Sequence, residues 1–287
     1  GAGTIHDITR YVAKEYNIPF VSIPTAASVD GFVSTVAAMT MGGFKVTYPA
    51  VSPIAVFADT NIFSQAPYRL TASGIADLLG KYTALLDWQV ANILTQEYIC
   101  NHVIDIEKEA VVKVVSSIKD IQKGNKKSYE ALMHGLVLSG IAMQMVGNSR
   151  PASGAEHHMS HLWEMHIINS KLDALHGEKV GVALGIVCDI YKKIIEIEDV
   201  KKHIGIYNGI PYEVLKKEFK HLHLSVVEEN TPDPLEDIEP DLLEKSFEQI
   251  KQLIRDLPSG DEIRNMLKVA GAKTRLDDIG LTETILE

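Results

Sequence analysis

The chain has 287 residues, 46% of them hydrophobic and 23% charged, enough for two globular domains or one large one with buried cores. Its formal net charge of −10 argues against nucleic acid or an anionic membrane as partner, while leaving room for a local basic pocket that takes a phosphate. The two cysteines, Cys100 and Cys188, lie in apolar stretches and read as buried thiols of a reducing compartment.

In chain order, the first element is a helix that follows a glycine turn. Gly1 and Gly3 stand just ahead of DITRYVAKEY, where Ile8, Val12 and Tyr16 recur at helical spacing. Glycines there either make a turn or let backbone N–H groups approach an anion at the positive end of the helix dipole. The runs PFVSIPT (19–25) and PIAVFAD (53–59) read as short buried strands, and MGGFKVTYPAV (41–51) between them as a hairpin or edge strand. The loop PTAASVDGFVS (24–34) follows the first strand directly, at the strand end where open α/β sheets bind ligands; a plain loop of small residues is the alternative. Alternating strand and helix over the first sixty residues implies an α/β domain.

From Pro67 onward the pattern is helical. ASGIADLLGKYTALLDWQVANIL (72–94) has apolar residues three and four apart, and further helices are expected over 107–123, 126–147, 155–170, 176–196, 212–220, 240–256 and 260–270. The acidic, proline-bearing segment 228–241 reads as a solvated loop. Residues 1–66 are therefore expected to form an α/β domain and 67–287 an all-α helical bundle. The longest apolar run, 131–147, includes His134 and Gln144 and is too short to span a bilayer comfortably. No signal-peptide pattern is visible, and a cytoplasmic protein without membrane insertion is expected.

Histidine carries the strongest chemical signal. Five of the eleven fall between residues 157 and 176. EHHMSHLWE places His157 and His161 four apart on one helix face, and His176 opens the next helix, so antiparallel packing would bring it near His157. Neutral imidazoles so placed, with a carboxylate as third partner, suit a divalent metal. A hydrogen-bonded surface pair is the competing reading, and the zincin pattern H-E-x-x-H is absent.

Taken in order, the glycine turn with Asp7, the T-x-x-S-x-D-G loop at 25–31, GIAD (74–77), GAEHHMSH (154–161) and HGEKV (176–180) resemble the iron-containing alcohol dehydrogenase and dehydroquinate synthase superfamily. Within it, PTAASVDGF, ADLLGKYTALLDW and GNSRPASGAEHHMSHLWE are similar to the glycerol-1-phosphate dehydrogenases, particularly the bacterial AraM-like branch.

The resemblance implies a Rossmann-like nucleotide-binding domain followed by a helical metal-binding domain. It assigns Gly3, Thr4, Ile5 and Asp7 to the pyrophosphate turn of NAD or NADP, with Thr25, Ser28 and Ser34 as further cofactor contacts. Asp30 is expected to touch substrate, Asp77, His157 and His176 to hold one divalent metal, and His161 to hydrogen-bond substrate or relay a proton. The implied reaction is reversible reduction of dihydroxyacetone phosphate to sn-glycerol 1-phosphate, the metal polarising the carbonyl for hydride transfer. Zinc, nickel and iron all suit the donor set. A glycerol or other polyol dehydrogenase is the nearest rival, and a catalytically inactive binding subunit the rival from another class. Lys81 and Arg150 lie near the motifs and read as surface or structural cations. A homodimer is expected from the family. Family members reach such a glycine turn mid-domain, so roughly 90 further residues, about three βαβ units carrying the adenosine pocket, are expected ahead of Gly1.

Overall fold

The computed structural model describes residues 1–41, 44–165 and 172–286. Among the described residues, four short strands lie in the first sixty and the elements that follow are helical. Helix α1 (Thr4–Glu15) leads into strand β1 (Val21–Ser22), a 3₁₀ turn at Gly31–Val33, strands β2 (Val36–Met41) and β3 (Phe44–Pro49), and strand β4 (Ala55–Val56). β1 and β4 pair in parallel, Val21 with Ala55, while β2 and β3 form an antiparallel hairpin, Val36 opposite Pro49. The expected strand–helix–strand alternation is therefore corrected. Among the described residues the connection from β1 to β4 is a 3₁₀ turn and a hairpin, because VSTVAAMT continues as strand and pairs with FKVTYP.

Twelve helices are numbered in chain order. After α1 come α2 (Thr60–Phe63), α3 (Tyr68–Leu79), α4 (Lys81–Thr95), α5 (Asn101–Gln122), α6 (Lys126–Val146), α7 (Ala155–Glu164) and α8 (His176–Ile195). Then follow α9 (Tyr212–Phe219), α10 (His223–Glu229), α11 (Pro240–Arg255) and α12 (Gly260–Val269). No helix among the described residues is long and apolar enough to cross a membrane. The single helix expected over 72–94 is two, parting at Gly80, whose carbonyl accepts from Thr83 and Ala84 as α4 begins. The helix expected over 155–170 ends at Glu164, where Met165 turns extended; His166 and the rest of 166–171 lie outside the described residues.

α3 organises the core. Every residue from Thr71 to Leu79 is buried, and the helix packs against α5, α6, α8 and α12. Ile75, Leu78, Leu79, Val114, Leu132, Leu136, Leu184 and Leu267 form the largest apolar cluster around it. Cys188 belongs to this cluster, its thiol pushed up to about 12 by burial, whereas Cys100 is only half-buried.

Two close backbone approaches fix where α3 sits. A Cβ at Gly74 would lie 2.0 Å from the Ala27 carbonyl oxygen, and one at Gly177 would lie 2.0 Å from the Ser73 carbonyl oxygen. The loop after β1, α3 and the start of α8 are thus stacked with no room for a side chain between them.

α1 faces the fold with an unexpected side. Its apolar positions Ile5, Ile8, Val12 and Tyr16 are exposed, while His6, Arg10 and Ala13 are buried. Arg10 accounts for this orientation. Its guanidinium donates to the carbonyls of Ser34 and Val36 at 3.0 Å each and also to that of Gly31, tying three backbone acceptors of one segment to α1.

Gly177→Ala is expected to destabilise the protein by on the order of 3 kcal/mol, the upper range for overpacking, because the obstructing atom is backbone. Chemical denaturation of the purified variant measures this; a loss below 0.5 kcal/mol, about the scatter of surface substitutions, would refute the close-approach argument.

Candidate metal centre

Three helices converge on one buried point. Asp77 comes from the last turn of α3, His157 from the first turn of α7 and His176 from the first residue of α8. One ligand atom from each lies within 4.8 Å of the others. His157 Nε2 is 3.4 Å and His176 Nε2 3.6 Å from Asp77 Oδ1. Bonds of about 2.1 Å at tetrahedral angles give ligand atoms about 3.4 Å apart, so the spacing matches one small divalent cation.

The donor chemistry agrees. Asp77 is fully buried, its Oδ2 accepts the Asp30 backbone N–H at 2.9 Å, and its Oδ1 receives no hydrogen bond. A buried carboxylate oxygen without a donor is costly unless a cation satisfies it. Burial opposes charge on Asp77, yet contact with His157 and the fields of His176 and Lys81 prevail and hold the carboxyl well below the usual carboxylate range. Burial likewise opposes charge on His157, but Asp77 and Glu156 outweigh it and raise the imidazole to about 9.

His161 sits over the same point, its ring centroid 6.0 Å from that of His157 and 5.6 Å from that of His176. Asp30, on the loop after β1, also reaches the centre. Its Oδ2 accepts from Lys81 Nζ at 2.5 Å and from Ser139 Oγ at 3.0 Å, while its backbone N–H binds Asp77. The structure therefore gathers Asp30, Asp77, His157, His161 and His176 in one place.

Four of the residues expected at a nucleotide stand at the start of α1. Gly3, with φ 45°, caps the helix, followed by Thr4, Ile5 and Asp7 in its first turn. The Thr25 N–H donates to the Gly1 carbonyl at 3.0 Å, so the loop after β1 and the glycine turn are neighbours. Ser28 and Ser34 are buried. The Ser28 carbonyl accepts from Ser73 Oγ, and Ser34 Oγ accepts the Val36 N–H at 3.1 Å.

Several residues with parts to play here carried no signal of their own in the sequence. Lys81, read as a surface or structural cation, is fully buried and also donates to the Ala152 carbonyl at 3.1 Å. Arg150 is half-buried and paired with Glu97 at 2.7 Å. Glu107 is buried in the apolar face of α5, and burial beside Asp30, against the pull of Lys81, pushes its carboxyl up to about 7. Glu156 adjoins His157 in the GAEHH motif; that adjacency was the available clue.

The raised groups fix the sign of a pH effect. His157 binds a proton more tightly folded, at about 9, than unfolded, at about 6.5, so its contribution to stability is fully present below pH 6.5 and lost as pH rises through 9. The melting temperature of the chelator-treated protein is expected to fall between pH 7 and 9, and His157→Gln to flatten that limb. A melting temperature that is constant or rises over this interval would contradict the assignment.

A family model described as iron-containing alcohol dehydrogenase matches residues 1–67. The glycerol-1-phosphate dehydrogenase [NAD(P)+] of Geobacillus thermodenitrificans (strain NG80-2) is 36% identical over 288 residues, an alignment that takes in 100% of this chain and 65% of that protein. The protein of the same name from Methanosarcina mazei is 38% identical over 206 residues, covering 71% of this chain and 57% of its own length. The chain thus spans less than two thirds of these curated relatives. Among solved structures, glycerol dehydrogenase from Schizosaccharomyces pombe shares the fold with a TM-score of 0.56 at 18% identity, over 96% of this chain and 72% of that one. The chain is thus similar to iron-containing alcohol dehydrogenases over its first 67 residues and to glycerol-1-phosphate dehydrogenases along its length.

Proposed function

We propose that the chain is the metal-binding and substrate-binding part of a metal-dependent NAD(P)H-linked oxidoreductase that reversibly reduces dihydroxyacetone phosphate to sn-glycerol 1-phosphate. The observation that carries the proposal is the convergence of Asp77, His157 and His176 on one buried point, in a chain 36% identical along its length to a glycerol-1-phosphate dehydrogenase. Residues 67–287 then form the helical metal- and substrate-binding domain and 1–66 the nucleotide-binding part.

In this reading Asp77, His157 and His176 hold one divalent cation. Zinc or nickel, or iron, fits the His₂Asp donor set. When bound, the cation supplies Lewis-acid polarisation of the substrate carbonyl, and three protein ligands leave it an open position. The other residues bind and orient. His161, beside both ligand histidines, hydrogen-bonds a substrate hydroxyl or passes a proton to it. Asp30 has Oδ2 fixed by Lys81 and Ser139, which leaves Oδ1 to accept from a substrate hydroxyl. Gly3, Thr4, Ile5 and Asp7 offer the start of α1 to a dinucleotide pyrophosphate, where N–H groups and the helix dipole favour an anion. Thr25, Ser28 and Ser34 complete that side, and a cytoplasmic homodimer is the expected form.

Two measurements test the proposal. Metal analysis after reconstitution is expected to give one zinc or nickel per chain, and Asp77→Asn to lose it; a chain that holds no metal is instead a binding subunit. NADH or NADPH oxidation by the full-length enzyme is expected to prefer dihydroxyacetone phosphate over dihydroxyacetone, with His161→Ala lowering kcat by about 100-fold or more. A preference for the unphosphorylated ketone would move the assignment to a polyol dehydrogenase.

A further inference from the structure

Each candidate ligand histidine has a carboxylate on its far side. His157 Nδ1 lies 2.6 Å from Glu156 Oε1, and its Nε2 faces Asp77 Oδ1 at 3.4 Å. His176 Nδ1 lies 3.3 Å from Glu164 Oε1, and its Nε2 faces the same Asp77 oxygen at 3.6 Å. The two rings have the same polarity although one belongs to α7 and the other to α8.

We infer that Glu156 and Glu164 are positioning residues of the metal centre: each holds the Nδ1–H of one histidine and so presents the Nε2 lone pair to the cation. The inference rests on reading Asp77, His157 and His176 as ligands. Its physical basis is that a hydrogen bond at one imidazole nitrogen selects the tautomer and fixes the ring plane, and that an anionic acceptor makes the other nitrogen a stronger donor to a cation.

Glu156 is built for this task. It is fully buried, and both its oxygens are occupied. Oε1 also accepts the Gly154 N–H at 2.9 Å, and Oε2 accepts Thr83 Oγ1 at 2.5 Å. Thr83 stands in the first turn of α4, six residues after Asp77, so Glu156 ties His157 to the chain segment that supplies the third ligand. Glu164 does the same between helices. Its Oε1 lies 3.3 Å from Lys179 Nζ, and that ammonium donates to the Ala174 carbonyl at 2.7 Å, two residues ahead of His176. α7 therefore carries one ligand and both carboxylates that aim the two histidines.

The test is zinc affinity by chelator competition, with the visible absorption of the cobalt(II)-loaded protein, on the full chain and its Glu156→Gln, Glu164→Gln and Thr83→Val variants. Glu156→Gln is expected to weaken zinc binding by about 10- to 100-fold and to shift the cobalt bands, which a purely structural role would leave in place. Thr83→Val is expected to move both readouts the same way by less, and Glu164→Gln to weaken binding about tenfold. Should Glu156→Gln fail to fold, Glu164→Gln, at a half-buried position, decides the question. Wild-type zinc affinity and unaltered cobalt bands in the folded variants would overturn the inference and leave the metal centre standing. A wild-type chain that binds neither ion would overturn the metal centre and the inference with it.

Discussion

A carboxylate removed from water has to find its compensation inside the protein, and Asp77 makes that demand in the last turn of α3, a helix buried from Thr71 to Leu79. The neighbouring elements are arranged to answer it. The loop after β1 contributes a backbone N–H, α7 and α8 contribute imidazoles, and Lys81 adds a positive charge from the start of α4. None of these groups is adjacent to Asp77 in sequence. The cost of burying one anion thus sets the relative positions of four segments.

The same economy joins the strand-bearing part of the chain to the helices. Asp30 reaches α4 through Lys81 and α6 through Ser139, and the Val33 carbonyl accepts from Gln144 of α6. Arg10 then pins the rest of that loop from the other side through the carbonyls of Gly31, Ser34 and Val36. The loop, whose Ala27 and Phe32 also belong to the largest apolar cluster, is held by charge-assisted hydrogen bonds from both parts of the molecule.

Much of this was legible from residue types. Histidines within helical patterns stand out because the pattern around them is apolar, and His157 and His176 are among them; Asp77, in GIAD, was marked only by the resemblance to a family. Periodicity also located most of the helices, since burial of a stripe is what creates the period. It does not tell which stripe faces inward. Ile8, Val12 and Tyr16 have the spacing of a buried face and lie outside, because Arg10 repays its burial through loop carbonyls that become neighbours only in the folded chain. Lys81 and Glu107 were opaque for a related reason. A charge in an apolar helix reads as surface until its partner, supplied from another element, is known. The break at Gly80 and the strand at Val36–Met41 depend on packing and pairing across the chain, which local sequence does not carry.

The stacked backbones at Gly74 and Gly177 also bear on how this sequence can change. Where a bulky substitution meets a side chain, a second mutation that trims the neighbour restores the fit. Here the obstacles are the carbonyl oxygens of Ala27 and Ser73, which every amino acid possesses. A genetic suppressor search starting from a substitution at either glycine should therefore return true revertants, or changes that lift a whole helix, and no single compensating side chain.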